Sequence, residues 1–443
     1  MFWNIGATRQ NSHKLILLLG IMLSGMLLPS FPISAALPRI RLDEVFLFGA
    51  LGLNIAAFLV QGRKINPYDL EVYHERQAAA LRNVNLVFLV LVACMVISNI
   101  YAVLVLKSSF GVRDVMEFVT VAKYYLVTTL VISIEFEAAE YQILTGAFLA
   151  AFALIVLLSW GQFLNAGNMN AWLTPLLAPS HLNNLVNANP PRILGTFDNP
   201  NVMGIFAVFT LGLLTTWFYF REDSRRSALL LFVLSGLTIK LAFMTISRTA
   251  LLATAAILSF LSLWALFRRR WNRGIIMKVA LLFLLTVTLF VTSPRDFTTR
   301  MSEATNVQKS TSAIGHMQRW SEAWDVIKKS PVLGWGTAKS SMTTLVDDEY
   351  VLIARRYGFV GLLAYLWFFL RPALAAWRQV KRLGRTGTDF QPGVRPLLAI
   401  AFTAATIAVL IYNLTAGIFY NLQLMTLYAI FMGLIYSGER ETV

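Results

Sequence analysis

Apolar residues run through this chain in long unbroken stretches, without the alternating or one-in-four spacing of a soluble strand or helix. Stretches near the ~20 residues that a helix needs to cross a bilayer occupy 14–34, 42–60, 84–106, 115–134, 141–164, 201–220, 227–246, 249–267, 275–292, 350–370, 397–415 and 417–436. They predict twelve transmembrane helices and an all-α polytopic membrane protein. The first stretch follows Arg9 and Lys14 and precedes Ser34-Ala35-Ala36, a pattern shared with cleaved signal peptides. Retaining it as a helix keeps the loop charges in phase, so a retained helix is expected.

The polar positions divide the chain into five parts. Residues 1–164 hold five helices, 165–200 form a first outer loop and 201–292 hold helices six to nine. Residues 293–349 form a large loop with an amphipathic helix, and 350–443 hold the last three helices and a tail. From Gly315 to Gly361 the chain reads GHMQRWSEAWDVIKKSPVLGWGTAKSSMTTLVDDEYVLIARRYGFVG, its longest polar interval.

Composition agrees with the pattern: 57% of the 443 residues are hydrophobic and 14% charged, against roughly a quarter charged in soluble domains. The net charge of +15 has a topological explanation, because Lys and Arg accumulate in cytoplasmic loops. A nucleic-acid partner is not expected, since it would call for one clustered basic face. With the N-terminus inside, the cytoplasmic loops carry Arg63, Lys64, Arg76 and Arg82, then Arg221, Arg225 and Arg226, then Arg268, Arg269, Arg270 and Arg273, then Arg371 through Arg395. Both termini are then cytoplasmic and the loops 165–200 and 293–349 lie outside. Cys94 is the single cysteine, which excludes an intrachain disulfide, and His13, His74, His181 and His316 show no ligand spacing. No metal or cofactor is expected.

Candidate chemistry sits at the outer edges of the helices. In NPPRILGTFDNPN, Asp198 or Asn199 can cap a helix that opens with Pro200. Arg192 lies just ahead of that helix's free N–H groups, which suits an anion and equally suits an interfacial arginine reaching to headgroups. Ser247 and Arg248 interrupt two apolar runs at the next outer hairpin, where a cation is tolerable without a function. Lys240 lies about two turns deeper and must snorkel or pair. In the large loop, Met317, Trp320, Trp324 and Ile327 share one helical face, with Arg319, Glu322, Asp325, Lys328 and Lys329 on the other. That helix fits a membrane surface or a lid over a lipid-linked substrate. Pro331 ends it and Gly334-Trp335-Gly336 turns. Asp347, Asp348 and Glu349 then open the tenth helix ahead of Tyr350. Helix capping accounts for one or two of these acids but does not call for three.

The order RILGTFDNPN, SRTA, RWSEAWDVIKKSPVLGWG, DDEYVLIARRYGFVGLLAYL resembles the O-antigen ligase and O-antigen polymerase superfamily of the Wzy-C type. The resemblance covers about 190–370, and the first five helices are similar only in hydropathy. It implies a metal-independent inner-membrane glycosyltransferase of the C-type membrane class. Such an enzyme moves glycan at the periplasmic face from an undecaprenyl-diphosphate carrier to an acceptor sugar. By the same resemblance Arg192 and Arg248 match the family's essential arginines, held to bind the lipid diphosphate, with Arg319 a third candidate. Ligases of the family carry a histidine base where this chain has Asp347 and Asp348. That departure favours a polymerase of exopolysaccharide, capsule or O-antigen over a ligase acting on lipid A-core. Asp347 is the preferred base among the three acids, and Tyr350, Trp335 and His316 are further pocket candidates. A chain-length regulator is a partner such a polymerase would take.

The chemistry also stands without the family. A diphosphate leaves readily once paired arginines and a helix N-terminus neutralise it, whereas the attacking hydroxyl needs a base, worth about 10²–10⁴ in rate. Single displacement inverts the anomeric centre. The alternative from another class is a transporter or flippase of a lipid-linked or anionic substrate, which would show internal repeats and interrupted helices.

Overall fold

The computed structural model describes residues 10–30, 41–61, 68–134, 136–177, 192–221, 224–269, 271–293, 311–339, 342, 346, 348–383 and 394–438, without the side chains of 10–11, 54–61, 68–77, 311–313, 316 and 382–383. Among them there is no strand. The helices in chain order are α1 (Gln10–Leu27), α2 (Leu42–Gln61), α3 (Tyr68–Leu104), α4 (Val112–Ile132), α5 (Ala138–Phe163), α6 (Met169–Leu177), α7 (Pro200–Phe220), α8 (Arg225–Met244), α9 (Arg248–Arg268), α10 (Arg273–Val291), α11 (Thr311–Lys329), α12 (Glu349–Leu383), α13 (Val394–Tyr412) and α14 (Leu422–Gly438). Nine helices among the described residues are long and apolar enough to cross a membrane, and Ser12–Leu27 and Leu422–Gly438 are shorter apolar helices. With α2, they account for each of the twelve predicted stretches in an all-α polytopic membrane protein.

Burial sorts the helices into a centre and a rim. In α7 the apolar window is 89% buried, and in α10 only 11%. The central helix packs on α8, α9 and α13. Gly204 lets them approach, since a Cβ there would lie 2.9 Å from Ala250 Cβ and 3.1 Å from Thr245 Oγ1. The first helix is built into the bundle: Leu18 and Ile21 are fully buried, and the Met26 carbonyl accepts from Thr196 Oγ1 at 2.6 Å.

Between α2 and α4 buried charge is paired, as the cost of burying it requires. Lys123 of α4 donates to Asp43 Oδ2 at 2.6 Å and lies 3.4 Å from Glu44 Oε1, while Arg41 Nε donates to Asp43 Oδ1 at 3.0 Å. Two cations and two acids thus cancel. Lys240 is half-buried in α8 and makes no ion pair with a described residue, which leaves snorkelling.

The tenth predicted helix departs most from expectation. α12 runs 35 residues and is broken at Gly358, whose φ is 64° and ψ −170°. Residues 331–335 of the outer loop dock into the break. The Phe359 amide donates to the Pro331 carbonyl at 2.8 Å, the Val360 amide to Val332 at 3.3 Å, and the Trp335 amide to the Arg355 carbonyl at 3.1 Å. Irregular backbone at membrane depth is tolerated where protein satisfies it in this way. Ser98 and Asn99 of α3 fasten the other side: Ser98 Oγ donates to the Arg356 carbonyl at 2.9 Å, and Asn99 Oδ1 accepts the Thr337 amide at 3.0 Å. Gly334 and Gly358 have positive φ, and a Cβ on either would run into the other segment's backbone. The Gly-Trp-Gly turn read from the sequence is therefore a plug seated in a helix break.

Candidate functional site

Arg192 is held by the two elements that flank it. Its Nε donates to the carbonyl of Thr245, which ends α8, at 2.9 Å, and a terminal nitrogen donates to Asn201 Oδ1 in the first turn of α7 at 3.0 Å. Asn199 caps α7, accepting the Asn201 amide at 2.8 Å, and Pro200 takes the first helical position. Of the two caps the sequence offered, Asn199 is the one used. Ser247 caps α9 through the Ala250 amide at 3.3 Å, and Arg248 is the first residue of that helix. Arg248 is half-buried and pairs with no acid among the described residues. The N-termini of α7 and α9, each a positive dipole end, are therefore neighbours, with Arg192 bound between them and Arg248 the first residue of α9. This arginine pole suits a diphosphate.

Tyr412, at the end of α13, ties the pole together, its hydroxyl meeting both the Asn201 carbonyl and Ser247 Oγ. The next residues turn toward the acids. Thr415 contacts Thr249 beside Arg248, and the Asn413 carbonyl accepts the Glu349 amide at 3.0 Å. A Cβ on Gly417 would lie 2.7 Å from Glu349 Oε2. The turn 412–417 thus has the arginine pole on one side and the start of α12 on the other.

At that start the acids differ. Asp348 Oδ1 accepts the Val351 amide at 3.0 Å, an N-cap in place, and burial raises its pKa above the ordinary carboxylate value. Glu349 is fully buried, and neither carboxylate oxygen has a hydrogen-bond partner among the described residues. The Phe419 amide approaches it without closing a bond. Both side-chain polar atoms of Asn413 are orphaned too. Buried polar groups left unpaired cost about 1–3 kcal/mol each, so this concentration of them marks a site more than a core. Asp347, preferred from the sequence, lies outside the described residues, as does the side chain of His316.

Below the acids the structure assembles a cluster that sequence reasoning missed. Glu117 of α4 lies 3.4 Å from Arg356 and also pairs with Lys339, whose amide donates to Asp114 Oδ1 at 2.8 Å. Lys339 and Arg356 both stand over the Tyr420 ring, at 5.1 and 5.0 Å from its centroid. Arg356 lies seven residues after Glu349, on the same helix face. Signals existed: Asp114, Glu117 and Lys123 sit within an apolar helix, where ionisable residues are functional candidates by default, and Arg355-Arg356 lay within the longest polar interval.

The remaining candidates have structural ties. Tyr350 donates to the Leu410 carbonyl at 2.7 Å, anchoring α12 to α13. Trp335 Nε1 donates to the Val326 carbonyl at 3.1 Å, anchoring the plug to α11. Arg319 Nε bonds one turn back to the Gly315 carbonyl at 3.1 Å, on a helix that packs chiefly on α12. The predicted apolar face of α11 is divided: Ile327 is buried with Ala323, while Met317, Trp320 and Trp324 are exposed.

Residues 230–366 match the O-antigen ligase family model. This match supports the O-antigen ligase and polymerase superfamily, and with it an activity of ligase or polymerase type. No curated protein matches the chain. The matched residues contain Arg248, the plug, the acids at the start of α12 and Arg356; Arg192, Glu117 and the turn 412–417 lie outside them and are added by the fold.

Proposed function

We propose that the chain is an inner-membrane glycosyltransferase that polymerises undecaprenyl-diphosphate-linked repeat units of an exopolysaccharide, capsule or O-antigen at the periplasmic face. The observation that carries this reading is the turn 412–417, which sets an anion-binding pole and a buried orphan acid side by side. Arg192, Arg248 and the N-termini of α7 and α9 take the diphosphate of the donor and neutralise the charge that grows on it as the bond to C1 breaks. Glu349 takes the proton of the acceptor hydroxyl as its oxygen bonds to C1 from the opposite face. The products are a glycoside of inverted configuration and undecaprenyl diphosphate. Access to Glu349 requires the 413–419 segment to yield. Asp348, committed to its cap, is the weaker base.

The family description favours one alternative, ligation to a separate acceptor such as lipid A-core. A transporter reading gains the interrupted helix α12, but that break is filled by the chain's own backbone. Purified protein in proteoliposomes, given an undecaprenyl-diphosphate-linked repeat unit, should build a ladder of multiples on the carrier. Product that forms only when lipid A-core is supplied would establish the ligase. Movement of unaltered substrate across the bilayer would establish the transporter.

A further inference from the structure

At the end of α7 away from the arginine pole lies a second, unrelated feature. The 21 residues of α7 span about 32 Å at 1.5 Å per residue, so this end is at the other membrane face. There α1, α5, α7, α8, α13 and α14 enclose a cavity of about 270 Å³, walled by Leu144, Leu214, Trp217 and other apolar side chains. It reaches the lipid-facing surface at Leu230, which lines it and is 59% exposed. Thr145 of α5 also lines it. The volume falls below the ~300–1,000 Å³ of sites that enclose whole ligands. It fits part of an apolar molecule, such as an acyl chain.

The rim is cationic. Arg221 lines the cavity. Arg395 stacks on Tyr141, another lining residue, at 5.6 Å, and its Nε donates to the Tyr141 hydroxyl at 3.1 Å. Arg269 and Lys278 converge on the same helix end, donating to the carbonyls of Phe220 and Phe218 at 3.0 and 2.7 Å. Nearby Glu140 is engaged in capping α5, accepting the Glu137 amide at 2.9 Å.

We propose that this cavity binds an anionic phospholipid, with one acyl chain between α5 and α8 and the phosphate against Arg221 and Arg395. Basic pockets between transmembrane helices recognise such headgroups, and each cation near the surface contributes about 1 kcal/mol. In the proposed topology the leaflet is the cytoplasmic one, but binding itself does not depend on the glycosyltransferase reading.

The test is native mass spectrometry of the delipidated full chain titrated with phosphatidylglycerol or phosphatidylcholine. Phosphatidylglycerol should bind the natural protein more tightly, and Arg221→Gln and Arg395→Gln should each weaken it by about fivefold, the equivalent of ~1 kcal/mol per cation. Thr145→Trp, in the cavity lining, should remove the bound lipid while the melting temperature stays close to that of the natural protein. Equal binding of the two lipids, or phosphatidylglycerol still bound to Thr145→Trp, would overturn the proposal.

Discussion

The arginine pole and the acid pole share the turn 412–417 but are built in opposite ways. Arg192 lies in the loop before α7, held by the Thr245 carbonyl and Asn201, and Arg248 opens α9 behind its Ser247 cap, while Tyr412 ties Ser247 to Asn201. The acid pole gathers Asp114 and Glu117 from α4, Lys339 from the plug, Asp348, Glu349 and Arg356 from α12, and Asn413 and Tyr420 from the α13–α14 connection. On the proposed reading the first is a preorganised electrostatic site for the charge of the donor. Among the described residues, the second keeps side-chain atoms of Glu349 and Asn413 without a hydrogen-bond partner. On the proposed reading, the pole for binding is preorganised by its helix ends, and the pole for proton transfer leaves its base unengaged.

The largest effect should come from removing the scaffold of the acid pole. Gly358→Ala puts a Cβ against the Val332 backbone at a φ of 64°. Left-handed backbone costs roughly 1–2 kcal/mol and overpacking 1–3 kcal/mol, together about 2–5 kcal/mol. Thermal melting in detergent should show a sharply less stable protein, and an unchanged melt would mean that the plug and the break are not coupled as described.

Next in size is the arginine pole itself. Arg248→Ala removes a charged donor worth about 1.5–3 kcal/mol, so donor lipid should bind roughly 10- to 100-fold more weakly. Arg248→Lys should recover only part of this, because a point charge lacks the guanidinium fork. Titration with lipid diphosphate measures both, and normal affinity in the alanine variant would reduce Arg248 to a headgroup anchor.

The smallest effect belongs to Asp348. Asparagine caps about as well as aspartate, so Asp348→Asn should stay within about 0.5 kcal/mol of the natural protein in activity and stability near neutral pH. Burial raises the folded-state pKa, so the folded protein holds this proton more tightly than the unfolded chain. The stability this provides is complete below the ordinary aspartate pKa and is lost as pH rises through the raised value. Melting across that window should slope downward in the natural protein and less so in Asp348→Asn. Identical slopes would remove Asp348 as the titrating group.

Much of this was legible before the structure. Hydrophobic runs marked the helices because a bilayer imposes length and apolarity on each, and Arg192, Arg248 and the cap at Asn199 were readable because caps and outer-edge cations are local features. The break at Gly358 was not, since a glycine in an apolar helix looks like any other until the backbone of 331–335 is known to dock there. Nor was Glu349's separation from Asp348, because adjacent acids in sequence point to different sides of a helix start. Glu117 was missed for the plainest reason: its partners lie more than two hundred residues away, on Lys339 and Arg356.

The most direct test of a division between donor binding and proton transfer is Glu349→Gln, with product formation and bound lipid-linked donor measured on the same purified protein at matched folding. Removing a general base should lower turnover by about 10²–10⁴ while the donor remains bound at the natural level, the reverse of Arg248→Ala. Undiminished turnover in Glu349→Gln would contradict the account and move the base to Asp347 or His316.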